Sequence, residues 1–136
     1  MKVGLAKSGM RGYVSRRVFT TTDEFLDASL TGGIHPILVR PGTIHAELVR
    51  ADLGLLVVDA VYCSLPLALR GETAADRVWL AVPMTRTGRG QLNGEPLTPG
   101  NVLAVGGSAE VAGASGAPLH CGILTVAPSA LERIAT

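Results

Sequence analysis

No apolar run in this chain approaches the ~20 residues of a membrane-spanning helix. Lys2 is followed by no apolar core of a secretory leader, so a cytoplasmic protein without a membrane partner is expected. Charge is scarce and nearly balanced. Twelve Lys+Arg against eleven Asp+Glu leave a formal +1, too little for a large electrostatic footprint on nucleic acid. Charged residues are only 17% and hydrophobic residues 47%, which excludes a disordered chain. Aromatics are rarer still, at 4%, so small aliphatic side chains must fill the core. There are two cysteines, Cys63 and Cys121, each inside an apolar run. They read as buried free thiols of a reducing compartment; a disulfide is the alternative, and geometry decides between them.

Catalytic signatures are missing too. Gly88-Arg89-Gly90-Gln91-Leu92-Asn93 lacks the last glycine of a dinucleotide fingerprint, and no helix follows it. There is no phosphate-binding Walker loop and no Cys-x-x-Cys, and Ser64 and Ser108 lack the strand–turn–helix setting of a nucleophile elbow. Three histidines, His35, His45 and His120, are scattered. His45-Ala46-Glu47 puts two potential ligands on one strand face, but a metal site needs three or four. The plain reading makes His45 and Glu47 the solvated side of a half-buried strand. No metal, no cofactor and no enzymatic activity are expected.

What is present is turn chemistry between short apolar runs. A chain of 136 residues has room for one domain with a core, and its 17 Gly and 8 Pro suit an all-β domain. The clearest stretch is 91–105: strand, Asn93-Gly94 turn, short polar crossing, Pro99-Gly100 corner, strand. Asn-Gly tolerates the positive φ of a type I′ hairpin turn, and Pro-Gly presets one turn residue while freeing the next. Residues 1–17 carry Lys2, Lys7, Arg11, Arg16 and Arg17 before the first acid and read as a basic flexible arm. The alternative is an arm that packs on the domain or on a partner through Val3, Leu5, Met10, Tyr13 and Val14. A short helix is expected over 20–30, with Thr at its cap, Asp23 and Glu24 in its first turn and Gly32-Gly33 as its stop. Strands follow over 34–40, 43–50, 55–63, 65–70 and 77–84. Residues 43–50 alternate, with Ile44, Ala46 and Leu48 on one face and His45, Glu47 and Val49 on the other. Residues 55–63 are apolar apart from Asp59, as in a central strand. A weak strand over 108–117, a strand over 119–126 that ends the sheet, and a helix starting at Pro128 complete the chain. Some eight short strands suggest a sandwich or barrel.

The corner Gly94-Glu95-Pro96-Leu97-Thr98-Pro99-Gly100-Asn101-Val102-Leu103 resembles the second conserved stretch of cupins, which are jelly-roll barrels. The histidine that follows this corner in metal-binding cupins is replaced here by 104–108, Ala-Val-Gly-Gly-Ser. A narrower resemblance spans nearly the whole chain. Asp23-Glu24-Phe25, then 42–48 with 52–54, Arg70-Gly71, 78–83, 91–100 and 126–132 succeed one another as in the N-terminal cupin-like sensor domain of AraC-family transcription regulators. That resemblance implies a single cupin-like jelly-roll domain over 18–136. Its function would be to bind a small effector, or to dimerise, and so to control a DNA-binding helix-turn-helix domain that is not in these residues. Contact with DNA would run through that domain alone. A stand-alone small cupin, metal-binding or enzymatic, is the alternative.

For an effector, the chain offers Arg77 and Trp79 on one strand, with Tyr62 and His45 behind them. Trp79 suits stacking on a ring and Arg77 suits a carboxylate or sugar hydroxyl. The plainer readings are a core anchor for Trp79 and a surface residue for Arg77. A homodimer is also expected, because open sheets have edges to cover and the last helix has an apolar side formed by Leu131 and Ile134, with Leu124 nearby.

Overall fold

The computed structural model describes residues 2–4, 13–28, 34–84, 90–116 and 118–135. The alternating runs become strands β1 (Lys2–Gly4), β2 (Tyr13–Phe19), β3 (Ile34–Leu38), β4 (Ala46–Asp52), β5 (Leu56–Cys63) and β6 (Leu67–Glu72). They continue with β7 (Val78–Pro83), β8 (Gln91–Leu92), β9 (Glu95–Pro96), β10 (Leu103–Val105), β11 (Glu110–Ala114) and β12 (Leu119–Val126). Helix α1 (Thr22–Ala28) lies between β2 and β3, and α2 (Pro128–Ala135) follows β12.

All strand pairs are antiparallel, in two sheets. A seven-stranded sheet has the order β1-β2-β4-β5-β12-β7-β10, and a five-stranded sheet the order β3-β6-β11-β8-β9. The two do not close on one another. The core lies between them. Leu48, Val61, Trp79, Ala81, Cys121 and Ile123 come from the larger sheet, and Ile34, Leu67, Leu92 and Val111 from the smaller. Small aliphatics make most of it, as so few aromatics require. Phe25 of α1 is fully buried and meets Phe19 edge-to-face at 5.6 Å, which pins the helix to β2. The stop expected at Gly32-Gly33 lies outside the described residues.

The Asn-Gly corner is a tight hairpin. Asn93 (φ 49°) and Gly94 (φ 83°) both take the left-handed conformation of a type I′ turn. Asn93 does more than turn the chain: its Nδ2 donates to the Glu110 carbonyl at 3.1 Å, and its Oδ1 accepts from the Ala112 amide at 2.8 Å. The hairpin is thereby stitched to β11. Prolines 36 and 96 sit on β3 and β9, the edges of the smaller sheet, where a missing N–H is tolerated.

Three differences from the sequence reading concern position. Part of the expected flexible arm is strand: β2 pairs β4 over its whole length and β1 pairs β2. Val14, Val18 and Phe19 supply the β-forming residues there, interleaved with arginines that read as a solvated arm. The strand 119–126 does not end the sheet; β12 lies between β5 and β7. Residues 43–45 are irregular rather than strand, although Ile44 is buried. Among the described residues no helix is long and apolar enough to cross a membrane.

Candidate functional site

Strand alternation sorts the side chains of the larger sheet onto two faces, and each face carries a feature of its own. On the inner face, Trp79, Ala81, Cys121 and Ile123 oppose Leu67, Leu92 and Ala114 of the smaller sheet around an apolar cavity of about 30 Å³. That volume holds one or two water molecules. Trp79 is only 3% exposed, and its Nε1 finds no hydrogen-bond acceptor among the described residues. An indole N–H buried without a partner costs on the order of 1–3 kcal/mol. Such a donor beside a cavity is a demand for an acceptor.

The same inner face carries an ion pair. Arg50 and Asp59 are register partners on β4 and β5. Arg50 Nε donates to Asp59 Oδ1 at 2.7 Å and Nη2 to Oδ2 at 3.0 Å. Asp59 is 1% exposed and pairs in register with Ile123 of the cavity wall. A carboxylate taken this far out of water needs a bidentate partner. Site selection from the sequence missed this pair, although a signal existed. Asp59 is the one charge in an apolar run, and a hairpin turned at Asp52-Leu53-Gly54 sets Arg50 opposite it.

Cys63 and Cys121 are buried and free. Cys63 faces Leu119 and Cys121 faces Val61, so the two thiols are diagonal neighbours. Their Cα atoms are then roughly 7–8 Å apart, beyond disulfide reach. Burial pushes the Cys121 thiol up to about 11 and raises that of Cys63, since a thiolate there would be stripped of water.

The outer face gathers a polar row. Glu47, Tyr62 and His120 are register partners across β4, β5 and β12. The Tyr62 ring meets His45 and His120 edge-on, each at 6.2 Å between centroids. Arg16 Nε and Nη2 donate to Glu47 Oε1 and Oε2 at 2.6 and 3.1 Å. These hydrogen bonds hold the Glu47 carboxyl below its ordinary value; partial burial opposes the shift, and the Arg16, His45 and His120 charges reinforce it.

The four residues singled out from the sequence are therefore divided. Trp79 lines the inner cavity, whereas His45 and Tyr62 stand on the outer face of the same sheet. Arg77 is half-buried just before β7, and its Nη1 donates to the Asp76 carbonyl at 3.2 Å and lies 3.4 Å from the Asp76 carboxylate. His35 is exposed on the edge strand β3. Among the described residues no three His, Cys, Asp or Glu side chains gather as metal ligands. Set against family models, curated proteins and solved structures, the chain matches none.

Proposed function

We propose that this domain is the effector-binding and dimerising sensor of an AraC-type transcription regulator, a cupin-like jelly roll that controls a DNA-binding domain outside these 136 residues. The observation that carries the effector role is Trp79, which lines an apolar cavity between two sheets and whose buried N–H has no partner among the described residues. The effector is a compact, mostly apolar molecule with one hydrogen-bond acceptor for that N–H. The Arg50–Asp59 pair lies beyond the cavity lining, joined to it by the register pairing of Asp59 with Ile123.

The cavity's small volume gives the mechanism. A ligand larger than one or two waters fits only if the sheets part, so it binds one arrangement of the sheets better than another. That difference in affinity is all a ligand has with which to shift a switch. Within the larger sheet β12 runs on into α2, and the movement reaches the rest of the regulator along that path.

The test uses Trp79, the sole tryptophan, as its own reporter. A library of small apolar carbonyl, carboxylate and phenol compounds is titrated while Trp79 emission and thermal unfolding are followed. At least one chemical class should move the emission and raise the midpoint, since a ligand at a hundred times its Kd adds about 2.7 kcal/mol. Trp79→Phe should keep the fold and weaken that binding about tenfold. A library that moves neither signal removes the effector role.

A further inference from the structure

The outer face of the larger sheet turns away from the core, and register sorts its residues into rows. The first is the polar row Glu47–Tyr62–His120. The next is Val49–Ala60–Gly122–Val82, and beyond it runs Ala51–Val58–Leu124–Leu80. The middle row dips. Ala60 floors a recess of about 330 Å³ bordered by Glu47, Val49, Tyr62 and His120, and Gly122, its register partner on β12, raises no side chain beside it.

Gly122 is not bare for the sake of the fold. A Cβ placed there would meet nothing closer than 3.7 Å, and no left-handed backbone demands glycine. Its missing side chain shapes the surface instead. Ridge and recess are neighbours, one residue pair apart along the strands, or roughly 7 Å. A two-fold axis lying in the interface, parallel to the rows and passing between them, sets each ridge over the other copy's recess, which is the condition for a surface to fit a second copy of itself.

We propose that this face binds a second copy of the chain, with the Tyr62–His120 ridge of each copy seated in the other's recess over Ala60, beside Gly122. Size agrees at the lower limit. β2 extends the three rows with Val18, Arg16 and Val14, and five strands ~4.8 Å apart and three rows ~7 Å apart span roughly 500 Å², so two such faces bury about 1,000 Å², the least expected of a specific interface. Charge agrees as well. Arg16 and Glu47 neutralise each other by a bidentate contact, so closing the face buries no unmatched charge from this pair. The ridge is aromatic with polar tips, the side-chain type enriched at interface centres. The inference rests on the dimerising part of the proposed function and gives it a face; it does not rest on the effector part, since it uses the opposite side of the sheet.

Sedimentation equilibrium and light scattering on the whole chain at tens of micromolar decide the matter. The expected mass is that of two chains. Gly122→Arg should raise the dissociation constant about tenfold or more while leaving the circular dichroism spectrum of the monomer unchanged. Leu131→Arg, at an exposed position of α2, should leave the dimer intact. Should Gly122→Arg fail to fold, Tyr62→Ala decides on the same criterion, because it only removes surface. A monomeric wild type overturns the proposal. So does a dimer that resists both outer-face variants, or one that Leu131→Arg dissociates while they do not.

Discussion

Cys121 carries a pH dependence in its surroundings. Its thiol ionises near 11 in the folded chain, against an ordinary 9.0, because burial penalises the thiolate. The unfolded thiol loses its proton first. The stabilisation is therefore complete below pH 9 and is lost as pH rises from 9 towards 11. Urea midpoints taken between pH 8 and 11 should fall less steeply for Cys121→Ala than for the wild type; parallel slopes would show a thiol that ionises as freely folded as unfolded. Asp59 is a second case. Asp59→Ala leaves the Arg50 guanidinium without its bidentate carboxylate and should cost about 3 kcal/mol. That is the lower end of the usual range, because Arg50 is 26% exposed and water can reach it. Replacing both, as Arg50→Met with Asp59→Leu, should cost clearly less than the single change. Equal losses in the two urea curves would assign the effect to packing instead of charge.

At the scale of elements, two glycines of the smaller sheet separate backbone freedom from steric room. Gly94 needs only its φ of 83°, since a Cβ there would touch nothing within 4 Å. Gly94→Ala should cost about 1 kcal/mol, the price of a left-handed alanine. Gly113 has ordinary backbone, but its Cβ would sit 2.6 Å from the Gln91 carbonyl where β11 meets β8. Gly113→Ala should cost more than Gly94→Ala in the same unfolding assay, and the reverse order would mean that β8 yields easily. The first glycine was legible in the sequence and the second was not, because turn chemistry is local whereas close approach of two strands depends on which strands are paired. The same contrast runs through the fold. The helix at Phe25, the strands around Asp59, Trp79 and Cys121, and the Asn93-Gly94 turn are written in alternation and turn residues. The place of β12 between β5 and β7 is set by pairing over dozens of residues, and no local pattern carries it. The candidate residues suffered likewise. Trp79 on β7 and Tyr62 on β5 flank β12 in one sheet layer, but alternation within a strand does not say which face of that layer a residue on another strand shares.

In the whole molecule, the two proposed sites are two sides of one layer. Strands β5 and β12 supply Val61 and Cys121 to the cavity, and Ala60 and His120 to the recess, with Gly122 beside Ala60; Val61 borders both. A ligand that parts the sheets must bend the larger one or move it as a body. Bending alters the fit between ridge and recess, because a two-fold contact meets the same distortion twice. Effector binding and dimerisation are then coupled, and linkage requires the coupling to be reciprocal. A compound that shifts Trp79 emission should change the dimer dissociation constant by about fivefold or more at saturation. The same compound should bind the Gly122→Arg monomer with an affinity altered by the same factor. Sedimentation with and without compound gives the first number, and fluorescence titration of the two proteins gives the second. Agreement between them identifies the sheet as the shared element through which an interior ligand reaches a partner outside. A dimer constant that ignores a bound compound would show that the larger sheet moves as a rigid plate, and the signal would then have to leave through α2.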